Sequence, residues 1–528
     1  MCARWLPALL LGRAAAVPNG LGQTPAMAWS SWNFFAFGIN ETIALEIGDA
    51  LVESGLAKLG YEYVNIDAGS FTGDRDSATG KIIPNAEKYP HGMRWLSDQL
   101  HAKGLKFGVY TDISNHTCGG SGSMGHYKVD AETYAHDWQI VGSLCGPCCL
   151  SLFAVFSMPA PRRLSLSLCC MAALLALPVM SPCRLSPWLT HCGGLCGPRL
   201  LPPSQDYLKV DFCGATPGPT NLSSGHVSYQ PGPQYDAWMA LGKELNATGR
   251  PIYYSICPHR AVKPADGLPA EWAGDDAYSP PPEWSKAERY ALANSILVEY
   301  TNTWDSWYSR ARTARQRRTH QPWRHGGIIT DIDSMLQLTN LSYSGPGSWN
   351  DADMLQLCTY GKGMTPHSPG GMTLSEYRAH YSVWAILASP LIISADVRTL
   401  KEQHPECLAL MLNAEIVAVN QDPAALPPRL VSQRTNTTNS TAIVSSSDVV
   451  SQVFARPLAG EQLAVVLLNR GEAPAQLSVS WAELGLAAGA KMHVRDVTNQ
   501  KDLPTASDTW GATVGKHDVA FIRLSPSS

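Results

Sequence analysis

The chain has 528 residues, of which 45% are hydrophobic and 16% charged, so it can form two or three domains with large cores, and a disordered chain is excluded. Its net charge of −4 offers no basic surface across the whole chain, so a nucleic-acid partner is not expected. Abundant tryptophan and tyrosine suit a sugar-binding protein, although an ordinary core uses these residues as well.

The first 23 residues resemble a secretory leader, because small residues follow a short apolar run. The number of N-x-S/T sequons also favours the secretory pathway, with an extracellular or a lysosomal/vacuolar destination. In such a compartment the 14 cysteines are free to pair. The sequons begin at Asn40, Asn115, Asn221, Asn246, Asn340, Asn436 and Asn439.

From residue 24 onward, strand-like and helix-like segments alternate. The spacing of apolar residues predicts a helix that begins near residue 41 and ends at Gly60, a residue type that commonly ends helices. Short apolar strands end at Asp67 and Asp112. Further helices are predicted over residues 91–104 and 130–138. Alternation of this kind predicts a parallel sheet.

Residues 139–205 interrupt this pattern with eight of the 14 cysteines and with no Asp, Glu or Lys. The apolar run over 164–183 is long enough to cross a membrane, but Pro178 and Pro182 lie within it, and no stable membrane span is expected. A cysteine-rich module is a second interpretation. We favour translated non-coding sequence, such as a retained intron, because the composition changes abruptly while both flanks keep the alternation.

The alternation resumes with DYLKVDFCG, residues 206–214. In a strand, Lys209 and Asp211 lie two positions apart and face the same way, so the ammonium group favours an ionised carboxylate. Downstream, a very basic run over 309–325 resembles a second insertion more than a nucleic-acid site.

The strand-like segments number eight, and most are followed by helical sequence, which predicts a (β/α)8 TIM barrel over residues 24–408. From about residue 409 to 528, short alternating runs between turn residues predict a C-terminal antiparallel β-sandwich. The eight barrel strands are expected near residues 27, 63, 108, 209, 254, 299, 347 and 392.

Acidic residues recur where the barrel strands are predicted to end, which is the face where barrel enzymes carry their chemistry. Aromatic residues accompany them at Trp32, Tyr110 and Trp349. Carboxylates that grip hydroxyl groups and aromatic faces that stack on rings predict a sugar site. No pair of histidines accompanies the acids, so no metal or other cofactor is expected. These acids are Asp67, Asp112, Asp211, Asp305, Asp351, Asp353 and Asp396.

The motifs MAWSSWN, YVNIDAG, GVYTDISNHTCGG, YLKVDFCG, GPGSWNDADML and QDPAA together resemble glycoside hydrolase family 27, which comprises α-galactosidases and α-N-acetylgalactosaminidases. The resemblance implies a barrel followed by a β domain, and retaining exo-hydrolysis of terminal α-D-galactosides. It implies that Asp211 is the nucleophile and that Cys118 and Cys213 form a disulfide. The sugar-binding positions that it implies are Trp32, Asp67, Tyr110, Lys209 and Asp353.

The chain departs from the family pattern at two sugar-binding positions. Ala68 stands where the family carries a second aspartate, and residues 257–260 read CPHR where family α-galactosidases carry Cys-Glu-Trp. The choice between galactose and N-acetylgalactosamine therefore stays open. His259 is a candidate sugar contact, although a histidine in a loop is more often an ordinary residue.

The acid/base is sought after the sixth strand, where the family carries a Trp-Arg-x₃-Asp-Ile run. We choose Asp305 because it is the carboxylate nearest the strand end. Asp331 lies in a similar Thr-Asp-Ile context but too far from Arg324, and Asp333 is a third candidate.

The sequence thus predicts an α-galactosidase whose partners are galactose-terminated oligosaccharides or glycoconjugates. The alternatives are an α-N-acetylgalactosaminidase and a catalytically impaired galactoside-binding relative. The oligomeric state stays open between a monomer and a homodimer.

Overall fold

The computed structural model describes residues 19–117, 119–138, 206–212, 231–257, 293–297, 328–339, 344–362, 371–435, 439–440 and 449–527. The predictions for Cys118, Cys213, Asp305 and His259 lie outside these residues, as do those for segments 139–205 and 309–325.

Eight parallel strands form the first domain, and the prediction of a TIM barrel is confirmed. Neighbouring strands in the sheet follow chain order, and β1 also pairs with β8. A parallel bridge between Leu355 and Ile393 joins the seventh unit to the eighth and closes the barrel. The strands are β1 Met27–Ser30, β2 Tyr63–Asn65, β3 Lys106–Asp112, β4 Asp206–Asp211, β5 Ile252–Ile256, β6 Ser295–Leu297, β7 Trp349–Asp351 and β8 Leu391–Ile393.

The barrel strands are buried along almost their whole length, as expected for parallel strands that helices cover on the outside. Strand β5 illustrates how the two faces separate. Ile252, Tyr254 and Ile256 belong to the large core cluster between sheet and helices, whereas Tyr253 belongs to a cluster inside the barrel. The two-residue period of a strand therefore directs Ser255 inward as well.

The helices begin and end close to the predicted positions, with one correction. The helix predicted over 41–60 breaks at Gly55, whose φ of 88° ends the first helix, and Gly60 ends a separate short helix, Leu56–Leu59. The longer helices in the described part of the chain are α1 Glu41–Ser54, α2 Gly92–Ala102, α3 Tyr127–Glu132, α4 Pro231–Ala247, α5 Ile328–Thr339, α6 Leu374–Ile386, α7 Pro405–Met411 and α8 Ala414–Asn420.

Short elements decorate the connections. Two hairpins, Phe71–Arg75 with Ile82–Pro84 and His116–Thr117 with Gly120–Ser121, follow β2 and β3. The remaining short segments are the α-helices Trp32–Phe35, Leu400–Gln403 and Trp481–Leu484, the 3₁₀ helices Ala36–Gly38 and Val397–Thr399, and the π-helix Thr133–Asp137.

The second domain consists of antiparallel strands, which confirms the predicted β-sandwich. A seven-stranded sheet has the order β10-β9-β11-β12-β17-β14-β15, and β13 pairs with β16 in a second sheet. The strands are β9 Arg429–Thr435, β10 Asn439–Ser440, β11 Val449–Leu458, β12 Gln462–Asn469, β13 Ala475–Ser480, β14 Lys491–Asp496, β15 Lys501–Ser507, β16 Thr509–Val514 and β17 Asp518–Pro526.

Ion pairs join the sandwich to the barrel, and the pair of Arg470 with Asp333 is buried. Arg470, at the end of β12, donates to both carboxylate oxygens of Asp333 on α5 at 2.7 and 3.1 Å, and both side chains are nearly inaccessible. Arg378 on α6 pairs with Asp518 on β17. The sandwich is therefore anchored to the helices that cover the last barrel strands.

A disulfide joins Cys358, in the connection after β7, to Cys407 on α7, with an S–S distance of 2.07 Å. No helix in the described ranges is long and apolar enough to span a bilayer.

Candidate active site

The predicted site residues that the structure describes lie at or just beyond the carboxyl ends of the barrel strands, which share one edge because the strands are parallel. Tyr110 on β3 is paired with Lys209 on β4, and Asp112 is paired with Asp211 two residues further along. This register brings the end of DYLKVDF beside the end of LKFGVYTD. The side chains from β2, β3 and β4 consequently meet at the barrel mouth.

Asp211 lies in this group with its carboxylate held from two sides. The Tyr110 hydroxyl donates to one oxygen at 2.9 Å, and the Phe212 backbone N–H donates to the other at 2.8 Å. Asp211 is 2% exposed. Hydrogen bonds to the charged form favour an ionised carboxylate, which is the form that a nucleophile needs.

Lys209 reaches toward Asp67 and donates to its carboxylate at 2.9 Å. Its ammonium group also lies 5.7 Å from the centre of the Tyr110 ring. The lysine therefore bridges the end of β2 and the Tyr110–Asp211 pair. Lys209 and Asp211, which were predicted to share a face of the strand, thus belong to one polar cluster with Asp67 and Tyr110.

A cleft opens beside this cluster. Asp67, Lys209 and Asp353 all line it, together with the barrel-interior side chains of β5 and β7. Trp32 packs in the apolar cluster that contains Met354 and Ile392, two further residues of the cleft wall. Of the predicted site residues, Asp67, Lys209 and Asp353 thus line the cleft. Tyr110 and Asp211 adjoin it beside Lys209, and Trp32 packs against its wall.

Asp353 is presented by an unusual backbone conformation. Its φ of 72° lies in the left-handed region, which is uncommon for a residue with a side chain. Its N–H donates to Asp351 Oδ1 at 2.9 Å, and its carbonyl accepts from Trp384 Nε1 at 2.9 Å. Strained residues persist only where the surroundings hold them, and they cluster at functional sites.

Asp351 lies on the same cleft and is fully buried. Burial, together with the neighbouring charge of Asp353, raises the pKa of this carboxyl to about 7. Asp351 therefore keeps its proton below about pH 7, where it supports the backbone of Asp353 without adding a buried negative charge.

Several cleft residues were not predicted as site residues, and three of them lie on β4 and β5 or at the end of β5. Ser255 and Cys257 project inward from β5 and its end, and Tyr207 projects inward from β4. The burial of Cys257 and the charge of Asp211, with which it shares a hydrogen bond, raise the pKa of the thiol well above its ordinary value. The two-residue period of PIYYSIC was the signal that could have identified Ser255 and Cys257.

Two predicted members of the carboxylate ring have structural roles instead. Asp112 accepts hydrogen bonds from the backbone N–H and hydroxyl of Ser114. Asp396 begins a 3₁₀ helix and pairs with Arg398 at 2.7 Å. Neither is among the residues that line the described cleft.

The structure describes two of the three candidates for the acid/base, Asp331 and Asp333, and their surroundings differ. Asp333 is occupied by Arg470, so its carboxylate serves the domain junction. Asp331 is buried in the first turn of α5, which follows β6 and therefore begins on the mouth side of the barrel. Among the described residues, no group of His, Cys, Asp and Glu is arranged to hold a metal ion.

Comparisons with known families cover both domains. The chain matches the family described as "Alpha galactosidase A" over residues 24–151 and 291–422. It matches "Alpha galactosidase C-terminal beta sandwich domain" over residues 448–524. The interruption of the first match between residues 151 and 291 includes most of the cysteine-rich segment.

Individual relatives give the same picture. An α-galactosidase of Cyamopsis tetragonoloba is 30% identical over 519 residues, which span 97% of this chain and 88% of the relative. Alpha-galactosidase 3 of Arabidopsis thaliana is 32% identical over 512 residues, spanning 97% of this chain and 84% of the relative. The crystal structure of α-galactosidase I from Mortierella vinacea has a TM-score of 0.66 and 25% identity, and the match covers 96% of this chain and 98% of that one.

Proposed function

The chain belongs to the α-galactosidase family of glycoside hydrolases, and from that premise we propose that it removes terminal α-linked galactose by a double displacement with Asp211 as the nucleophile. The observation that carries the proposal is the Tyr110–Asp211 hydrogen bond beside the Lys209–Asp67 ion pair at the barrel mouth. The partners would be galactose-terminated oligosaccharides or glycoconjugates.

In the first step, a carboxylate oxygen of Asp211 attacks the anomeric carbon while the acid protonates the leaving oxygen. The products are a covalent galactosyl ester and the released alcohol. In the second step, the same acid residue, now a base, takes a proton from water, which attacks the anomeric carbon and frees Asp211. The configuration at that carbon is retained.

The cleft supports a distinct role for each remaining residue. Asp67 and Asp353 offer carboxylate oxygens to sugar hydroxyls, and Lys209 offers N–H donors. Trp32 offers an apolar ring face. Tyr110 holds Asp211 in the orientation for attack.

The acid/base is proposed to be Asp305, with Asp331 as the second candidate. Retaining glycosidases place the two carboxyl groups about 5–5.5 Å apart. The position of Asp331 at the mouth-side end of α5 supports its candidacy, and the ion pair of Asp333 with Arg470 argues against Asp333.

The nucleophile is tested with Asp211→Asn on an aryl α-galactoside. We expect turnover to fall by roughly 10⁴-fold or more, because the amide cannot form the ester intermediate. The matched control is Asp98→Asn, which changes an exposed aspartate on α2 and should leave turnover unchanged. Wild-type turnover in the Asp211 variant would overturn the proposed mechanism. Galactose binding without any hydrolysis by the wild type would support the impaired-relative alternative instead.

The acid/base is tested by comparing Asp305→Ala with Asp331→Ala. Loss of the acid should slow substrates with poor leaving groups far more than activated ones, because only the former need protonation. Added azide should rescue the variant that lacks the acid/base, since azide needs no general base. The variant that shows both effects identifies the residue. A parallel assay with an α-N-acetylgalactosaminide decides between the two sugar specificities.

We also propose that the protein functions in the secretory pathway or beyond it, in an extracellular or lysosomal/vacuolar compartment. The Cys358–Cys407 disulfide supports this, because disulfides persist in oxidising compartments. Microscopy of the tagged full-length chain in its own cells would test it, and a cytosolic distribution would contradict it.

A further inference from the structure

His517 lies in the turn between β16 and β17, where the sandwich contacts helix α6 of the barrel. Its side chain is 7% exposed, and its φ of 50° lies in the left-handed region. The ring nitrogen Nδ1 lies 2.8 Å from Glu376 Oε1, and Nε2 lies 3.2 Å from Glu472 Oε1. Glu376 belongs to α6 and Glu472 to the turn after β12, so these three side chains form a bridge between the two domains.

Both ring nitrogens of His517 face carboxylate oxygens. An ionised carboxylate only accepts hydrogen bonds, whereas a neutral imidazole has one donor nitrogen and one acceptor nitrogen. A neutral ring can therefore satisfy one glutamate, and it places a lone pair against the other. The imidazolium donates from both nitrogens, so the bridge is complete only when His517 is charged.

Glu376 is oriented for this contact by the start of α6. Its Oε2 accepts the backbone N–H of Thr373 at 2.7 Å and the Thr373 hydroxyl at 2.9 Å, in the capping box that begins the helix. Its Oε1 is thereby directed to His517. Burial alone would raise the pKa of Glu376, but its hydrogen bonds with His517 and Thr373 outweigh burial and lower that pKa.

Asn469 holds the two sandwich turns of the bridge together. Its amide N–H donates to the Gly515 carbonyl at 2.8 Å, and its side-chain carbonyl accepts the Gly471 N–H at 2.9 Å. The turn that carries Glu472 and the turn that carries His517 are therefore fixed to each other before either meets α6.

The other charged groups around the ring are paired with one another. Lys516 pairs with Glu472 and, together with the imidazole, lowers the pKa of that carboxyl. Arg378 on α6 pairs with Asp518. When the imidazole is neutral, Glu472 keeps its lysine, whereas Glu376 loses the positive charge of the ring. The contact between the sandwich and α6 is therefore the one that depends on the histidine proton.

We propose that His517 is a pH-sensitive bridge between the two domains, which closes when the imidazole is charged and loosens when it is neutral. Its contribution to stability is present in mildly acidic solution and disappears as the pH rises through the range, about pH 5 to 8, in which histidines commonly lose their charge. At the acid end, the bridge persists until Glu376 is protonated, and the lowered pKa of that carboxyl extends it to lower pH. The sandwich is thus fastened most firmly to α6 in an acidic compartment.

Amide hydrogen exchange on the full chain tests the bridge, because it reports local opening in the first turn of α6 and in the turn before β17. The wild type is compared with His517→Gln at about pH 5.5 and about pH 8, with the intrinsic exchange rate corrected at each pH. We expect these amides to exchange about tenfold faster in the variant at the lower pH, and at nearly equal rates in both proteins at the higher pH. His493→Gln, which changes an exposed histidine beside Ser527 on β14, is the matched control and should leave these amides unchanged.

Glu472→Gln is a second variant that tests the bridge with little risk to folding, because this side chain is 70% exposed. We expect faster exchange than in the wild type at the lower pH, and no further increase when it is combined with His517→Gln, since both changes break the same contact. If His517→Gln does not fold, Glu472→Gln alone decides. Equal effects of His517→Gln at both pH values, no effect at either, or wild-type exchange in Glu472→Gln at the lower pH would overturn the proposal.

Discussion

Asp353 is held in a left-handed backbone conformation by two groups that do not themselves need to touch substrate, Asp351 and Trp384. Asp351 accepts the Asp353 N–H while its own carboxyl stays protonated over much of the pH range, because burial and the charge of Asp353 raise its pKa to about 7. At the scale of the residue, a buried Asp351 with a raised pKa thus supports the backbone of Asp353. Asp351 therefore loses its proton as the pH rises through about 7.

The raised pKa of the Asp351 carboxyl makes the folded chain less stable as the pH rises. Its ordinary pKa is 3.8, so between about pH 4 and 7 the folded chain keeps a proton that the unfolded chain has lost. This contribution is complete below about pH 4 and disappears as the pH rises through about 7. We expect Asp351→Asn, which keeps the accepting oxygen but cannot titrate, to remove a pH-dependent contribution to stability of about 4 kcal/mol.

Urea unfolding of both proteins at about pH 4 and about pH 8 measures this term. The wild type should lose more stability than the variant over that interval. Parallel pH profiles for the two proteins would show that Asp351 does not carry the proton.

Some residues of the site follow from the sequence and others cannot. Lys209 and Asp211 share a face because a strand has a period of two, and the same rule reaches Ser255. The left-handed conformation of Asp353 and the support of Trp384 depend on tertiary contacts between β7 and α6, which no local pattern contains. The turn contacts of Asp112 and Asp396 could not be predicted either. The sequence does not show whether an acid at the end of a strand faces the cleft or its own loop.

At the scale of the element, helix α5 links the candidate acid region to the sandwich. Asp333 on α5 meets Arg470, which is only 1% exposed, and Gln452 completes the contact with Arg470 at 3.1 Å. Burial raises the pKa of Asp333 while the arginine opposes that change. The second domain therefore positions the helix that carries Asp331.

Removal of the cation from this junction should destabilise the fold. We expect Arg470→Met to lower the free energy of unfolding by about 3–5 kcal/mol, because Asp333 is left buried without its partner. The double variant with Asp333→Leu should recover most of that loss. Arg94→Met, which breaks an exposed ion pair on α2, is the control and should cost less than about 0.5 kcal/mol. Chemical denaturation measures all four proteins, and equal effects of Arg470→Met and Arg94→Met would contradict the assigned role.

The sequence predicted the order of helices and strands better than the residues at which they begin and end. All eight barrel strands lie where apolar runs end in turn residues, since parallel strands need continuous hydrophobic sequence. The helix predicted over 41–60 is two helices, because Gly55 permits a left-handed turn that the apolar spacing alone does not reveal. The sandwich strands begin only at Arg429, after α7 and α8, whose apolar positions resemble short strands.

At the scale of the whole molecule, the Cys358–Cys407 disulfide fastens the connection after β7 to α7 across 49 residues of chain. We expect Cys358→Ser to lower the free energy of unfolding by about 2–4 kcal/mol, because the unfolded chain gains freedom that the crosslink removes. Thermal unfolding without reductant measures this. The variant and the reduced wild type should then unfold at similar temperatures, and an unchanged melting temperature would contradict the prediction.

Residues 139–205 enter the barrel between the helical segment that ends near Trp138 and the start of β4 at Asp206. Connections from a helix to the next strand in α/β units usually have about 2–6 residues. We expect a chain in which a short Gly-Ser linker replaces residues 139–205 to keep α-galactosidase activity and to give a higher yield of folded protein. Activity assays on both chains check this, and loss of activity in a folded, shortened chain would show that the segment contributes to the site.

The identity of the atom that bonds to galactose is tested most directly by trapping. A fluorinated galactosyl fluoride that slows the second step of a double displacement should leave the sugar on the enzyme, and peptide mass spectrometry locates it. We predict one galactosyl group per chain, attached to Asp211. Inactivation with the label on any other residue, or turnover with no covalent intermediate and inverted product, would contradict the mechanism.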